Sequence, residues 1–229
     1  MRKLFALAAL SCVLFSCQKE ISFDSPSSGG GSGGGTSGGS ATYQPMSKNS
    51  YWKYHESGTF SGDFTLTSTG TQRTVNGISY TVFSAAPATT LSEELFAIDH
   101  HNMYAYFEGV APGSTATLNI NMLYSNDTAS VGYSWDNLAG QANGITAYTP
   151  GIILEKGGSL TVGGKSYNNV IHSQIQLEYD FPLVGRMPAI TYDYYVAKGV
   201  GIIRIESTGD AALAPGVHTL ADLTEYSIK

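Results

Sequence analysis

The side chains able to do chemistry in this chain are few and scattered. Asp99-His100-His101 is the densest ionisable cluster. Neighbouring histidines on a strand point to opposite faces, so they do not readily share one metal; surface turn histidines are the expectation, and no metal or other cofactor is expected. His55, His172 and His218 stand alone. Gly-x-Ser-x-Gly occurs only at Ser32 and Ser37, inside the Gly/Ser-rich run, where it makes no nucleophile elbow, although the members of a Ser-His-Asp triad need not be close in sequence. Glu93, Glu94, Asp99 and Glu108 could in principle supply the paired carboxylates of a glycoside hydrolase, but their spacing selects no pair. The aromatic residues are more suggestive. Fifteen tyrosines and two tryptophans offer flat, amphipathic surfaces. Tyr192, Tyr194 and Tyr195, with Trp52 and Trp135, are the candidate ligand-binding residues, suited to stacking on a sugar ring or holding an apolar molecule. The plainer reading is that tyrosine is a favoured strand residue filling half-buried positions.

One further residue carries reactive chemistry of another kind. Arg2 and Lys3 precede an apolar run, Leu4 to Phe15, broken only by Ser11 and too short to span a bilayer well. A charged start, a short apolar stretch and a small residue before Cys17 read as an export signal. Leu14-Phe15-Ser16-Cys17 resembles a bacterial lipobox, which implies cleavage before Cys17 and lipidation of its thiol. Cys12 would leave with the signal over residues 1–16, so the folded part would hold no disulfide and no thiol chemistry.

Net charge is −6, and loss of Arg2 and Lys3 makes the remainder more acidic. There is no basic stripe, so nucleic acid is not an expected partner. The acidic balance does not help binding to anionic lipid either, which leaves membrane attachment to the acyl anchor. Residues 17–42 form the lipidated cysteine and a tether. From Ser25 to Thr42 the chain is almost wholly Gly, Ser and Thr, a composition that cannot bury apolar surface and is expected to be disordered, with a reach of roughly 20–25 Å. Gln18-Lys19-Glu20 resembles the surface-export signal of Bacteroidetes-type lipoproteins. It implies an outer-membrane lipoprotein exposed at the cell surface, with a periplasm-facing orientation as the alternative.

From Tyr43 to the end, period-two patterning dominates. Ala116, Leu118, Ile120, Met122 and Tyr124 alternate with Thr117, Asn119, Asn121 and Leu123; Ile171, Ser173, Ile175, Leu177 and Tyr179 alternate with His172, Gln174, Gln176, Glu178 and Asp180. Each pattern predicts a strand with one buried face. Thr90 to Ile98 is the best candidate for a short helix, with Ser92-Glu93-Glu94 as its start. Asn76-Gly77 and Gly163-Gly164 predict hairpin turns, and Pro112-Gly113 and Pro215-Gly216 further turns. The expected fold is all-β over 43–229: a curved antiparallel sheet or half-barrel with at most one short helix.

The order Trp, hairpin, Tyr-x-Tyr occurs twice: Trp52, Asn76-Gly77 and Tyr104-Ala105-Tyr106, then Trp135, Gly163-Gly164 and Tyr192-Asp193-Tyr194. This suggests two duplicated halves, 45–128 and 129–229, of about four strands each. Asn49-Ser50-Tyr51-Trp52-Lys53-Tyr54 and Tyr194-Tyr195-Val196-Ala197-Lys198-Gly199-Val200-Gly201-Ile202-Ile203 resemble stretches of uncharacterised Bacteroidetes-type lipoproteins, a likeness that implies location more than activity. Asp127-Thr128-Ala129 resembles the O-glycosylation site of exported proteins of that type, with Thr128 as acceptor. The combined expectation is a lipid-anchored envelope protein with a non-enzymatic β-domain that binds a glycan, a lipid or an envelope protein. Two alternatives stay open: a structural or assembly component of an outer-membrane complex, and a hydrolase.

Overall fold

A computed structural model describes residues 42–87, 93–112 and 117–229. The export signal, Cys17 and nearly all of the tether lie outside these residues, as do Thr90, Leu91, Ser92, Gly113 and Ala116. The described chain is all-β. Twelve antiparallel strands form one sheet in the order β6-β5-β4-β3-β2-β1-β12-β11-β10-β9-β8-β7. In chain order they are β1 (Tyr51–Gly58), β2 (Gly62–Val75), β3 (Ile78–Ala86), β4 (Glu93–Asp99), β5 (Asn102–Val110), β6 (Thr117–Asn126), β7 (Ser134–Ala142), β8 (Ile145–Val162), β9 (Lys165–Phe181), β10 (Gly185–Ala197), β11 (Gly201–Gly209) and β12 (His218–Ser227). Two six-strand meanders are thus joined through β1 and β12, where Tyr51 pairs with Ser227 and Gly58 with Thr219. Six strands from each side of residue 129, rather than about four, build a single sheet. No helix among the described residues is long and apolar enough to cross a membrane.

The sheet curls until its edge strands meet, giving a nearly closed barrel. No backbone ladder joins β6 to β7. Side chains bridge them instead: Trp135 Nε1 donates to the Leu123 carbonyl at 3.2 Å, and Asn137 Nδ2 to the Asn121 carbonyl at 2.7 Å. Gly140 allows the approach, because a Cβ there would lie 2.2 Å from the Asn119 carbonyl oxygen. Open edges invite unwanted pairing, and this seam covers both of them.

The alternating strands behave as their patterns require. Leu118, Ile120, Met122 and Tyr124 of β6, and Ile171, Ile175, Leu177 and Tyr179 of β9, are buried in one core with Trp52, Phe83, Phe96 and Ile203. Asn76-Gly77 and Gly163-Gly164 turn β2 into β3 and β8 into β9 with positive φ at all four residues, the conformation a two-residue hairpin needs. The expected helix is absent: Glu93–Asp99 is strand β4. Both its faces are covered. Phe96 joins the main core, while Leu95 and Ala97 join a smaller cluster with Tyr80 and Val82 on the opposite face. Burial on both sides erases the apolar-polar alternation that marks a strand, leaving Ser-Glu-Glu to suggest a helix start.

The meander puts alternate turns at opposite ends of the barrel. At the near end lie residues 76–77, 100–101, 163–164 and 198–200. The chain enters there: the Gly199 amide donates to the Thr42 carbonyl and Tyr43 is buried. The β8–β9 tip leans over this end onto β12, with Lys165 Nζ donating to the Thr224 carbonyl. At the far end lie the connections β1–β2, β7–β8, β9–β10 and β11–β12.

Candidate functional site

Inside the barrel, towards the far end, the packing leaves a cavity of about 170 Å³. Its walls come from both meanders. Glu56 of β1, Phe64 of β2, Glu94 and Phe96 of β4, Phe107 of β5 and Met122 of β6 face Tyr192 and Tyr194 of β10, Ile205 and Ser207 of β11, and Thr219 and Ala221 of β12. Strand parity explains the composition. Trp52, Tyr54 and Glu56 are successive inward positions on β1, so the run that places two aromatic rings in the core also places a carboxylate there. On β4, Glu94 takes the inward position one step before Phe96.

These carboxylates are unusual in their surroundings. Glu94 is half-buried, its open side bordering the cavity, and desolvation raises its pKa from the ordinary 4.5 to about 7. Glu56 is also half-buried, and burial shifts it in the same direction. Among the described residues no basic side chain lines the cavity. Around them, Tyr54 donates to the Ile202 carbonyl at 2.8 Å. Tyr194 packs against Tyr124 with ring centroids 5.1 Å apart. Burial pushes the Tyr54 and Tyr194 hydroxyls well above their usual range, with the Glu94 charge adding to the shift, so both stay neutral donors. The space therefore suits a small apolar group, and its polar wall is acidic.

The candidate residues from the sequence divide among different places. Tyr192 and Tyr194 line the cavity. Trp52 is a core residue, its indole donating to the Val200 carbonyl at 2.6 Å and packing on Phe83. Trp135 sits in the seam between β6 and β7. Tyr195 faces outward and stacks on His172 at 4.2 Å. The five residues therefore do not make one aromatic strip. Of the four carboxylates with catalytic potential, Glu94 alone lines the cavity. Glu93 is paired with Arg73 on the surface, and Asp99 with His100. Glu56 escaped the sequence reading, although the inward series Trp52-x-Tyr54-x-Glu56 carried the signal.

The histidines all lie away from the cavity. His100 and His101 occupy the β4–β5 turn at the near end, where His101 bonds Asp127 at 2.8 Å. On the outer face, a cross-strand row runs Glu155, His172, Tyr195, Arg204, Asp222, His55, Asp63 from β8 to β2. Its members largely satisfy one another: Arg204 forks onto Asp222 at 2.6 and 2.8 Å, and His55 meets Asp63 at 2.7 Å. Such rows tie strands together. Among the described residues no group of three or more His, Cys, Asp or Glu could hold a metal. Thr128 is exposed in the β6–β7 turn, its hydroxyl 3.1 Å from Asn126 Oδ1.

No family model matches the chain, and no curated protein does. Two solved structures are similar to it at 8% identity. One is a "putative lipoprotein" from Parabacteroides distasonis, with a TM-score of 0.45 over 81% of this chain and 98% of that one. The other is a "putative exported protein with YmcC-like fold" from Bacteroides fragilis, with a TM-score of 0.47 over 82% and 100%. Likenesses this distant carry no argument about function.

Proposed function

We propose that this chain is a lipid-anchored envelope protein whose barrel binds a small, largely apolar ligand without transforming it. The cavity is the observation that carries this reading. It is a partly open pocket with a mainly apolar lining rather than a flat aromatic strip, which favours an acyl segment or a small ring over a glycan. Its volume of about 170 Å³ is close to that of an engineered apolar cavity that accepts benzene and below the usual range of drug-sized pockets. A whole two-chain lipid does not fit; a single short chain or ring does. Binding is favoured over hydrolysis because no histidine borders the cavity to activate a nucleophile. Lipid attachment at Cys17 and display at the cell surface belong to the same proposal and rest on the sequence alone.

The test is extraction of the protein from its native membrane, followed by denaturation and mass spectrometry of what it releases. A small amphiphile recovered from the wild type but not from Ala221→Phe, which fills the cavity, supports the reading. Equal recovery from both proteins, or none from either, contradicts it. The assembly alternative is favoured by one observation: Leu183 and Val184 are exposed at the tip of the β9–β10 turn, and Leu183 has a φ of 72°. Loss of a co-purifying envelope protein in a Leu183→Ser, Val184→Ser variant would support that role.

A further inference from the structure

An apolar cavity usually needs no ionisable wall. This one has two carboxylates, Glu56 on β1 and Glu94 on β4, separated in the sheet by β2 and β3. Neither makes a hydrogen bond or ion pair with another described residue. That is costly: a half-buried carboxylate without a donor loses hydration that no described residue replaces. The Tyr54 hydroxyl offers no donor, since it is committed to the Ile202 carbonyl. Structural needs do not explain the arrangement, because a Leu or Met at position 94 would pack against Phe96 and Phe107 without the penalty.

Charge complementarity gives it a use. We propose that the cavity takes an apolar primary amine, its hydrocarbon between Phe64, Phe96, Phe107 and Met122 and its ammonium on the Glu94 carboxylate. This rests on the reading of the cavity as a ligand site and names the class of ligand. An ammonium group supplies the donors that Glu94 lacks, and a charge-assisted hydrogen bond in a poorly hydrated site is among the stronger polar contacts available. The groups facing Glu94 that could titrate are Glu56 and the hydroxyls of Tyr54, Tyr192 and Tyr194. Burial keeps the Tyr54 and Tyr194 hydroxyls neutral through the neutral range, so carboxylate ionisation governs the response to pH. Since Glu94 titrates near 7, amine affinity should rise as pH climbs from 5.5 to 8.

Hexylamine and hexan-1-ol differ mainly in the charged group and suit the cavity in size. The chain from Gln18 onward, which keeps the whole barrel, is titrated with each by calorimetry at pH 5.5 and 8. At pH 8 the amine should bind about 10- to 100-fold more tightly than the alcohol, as expected for a charge-assisted contact. The preference should shrink at pH 5.5 and vanish in Glu94→Gln, while the alcohol still binds in both comparisons. Equal affinities for amine and alcohol, or a preference that survives Glu94→Gln, would overturn the amine assignment and leave the apolar site intact. Binding of neither compound overturns both.

Discussion

Glu94 is the residue on which the functional account turns, and its effect on stability can be read without any ligand. Its pKa is raised by burial from 4.5 to about 7, so the folded state holds a proton that the unfolded chain gives up. Its own contribution to stability is therefore greatest below about 4.5 and falls as pH rises through about 7, the opposite of the ion-paired Asp63 and Asp136. Each pKa unit corresponds to about 1.4 kcal/mol. Allowing for water that reaches the half-buried group, the loss between pH 4.5 and 8 should be on the order of 2 kcal/mol. Urea denaturation across that range should show this decline in the wild type and a flatter profile in Glu94→Gln; identical profiles would mean that Glu94 ionises freely. Trp52 gives a contrasting case. Its flat, amphipathic ring makes it a ligand candidate in the sequence, and in the fold it is 2% exposed and bonded to the Val200 carbonyl. Trp52→Ala should cost about 3–5 kcal/mol in denaturant unfolding. An unchanged midpoint would contradict its role in the core.

At the scale of elements, legibility followed burial. Strands β6 and β9 have one buried face and one wetter face, so period two was plain in the sequence. Strand β4 has both faces covered, and its pattern was lost. The β2–β3 and β8–β9 turns were legible because Asn-Gly and Gly-Gly adopt positive φ cheaply. The seam was not, since side-chain donation from Trp135 and Asn137 across to β6 depends on how far ten other strands curl the sheet. The cavity was hidden for the same reason: Glu56 and Glu94 lie 38 positions apart in sequence and meet one space only when both meanders close around it. The seam can be tested at Gly140, whose missing side chain lets β7 approach the Asn119 carbonyl. Gly140→Val should force the edges apart and destabilise the barrel by about 1–3 kcal/mol. Wild-type stability in that variant would show that the edges do not need this contact.

For the whole molecule, the division between ends matters most. The chain enters at the near end beside Gly199, while the cavity lies towards the far end. Lipid attachment at Cys17, as proposed, would anchor the barrel from its near end and leave the far end free to turn towards a ligand source. The buried side chains of Tyr43, Trp52 and Met103 fill the near end, which leaves the open space in the far half. The central claim is that this cavity is a binding site, and methyl NMR of Met122 tests it most directly. On titration of the chain from Gln18 onward with hexan-1-ol, the Met122 methyl should shift and saturate in the wild type and stay still in Ala221→Phe. A Met122 signal that never moves, or one that moves equally with the cavity filled, would contradict the account.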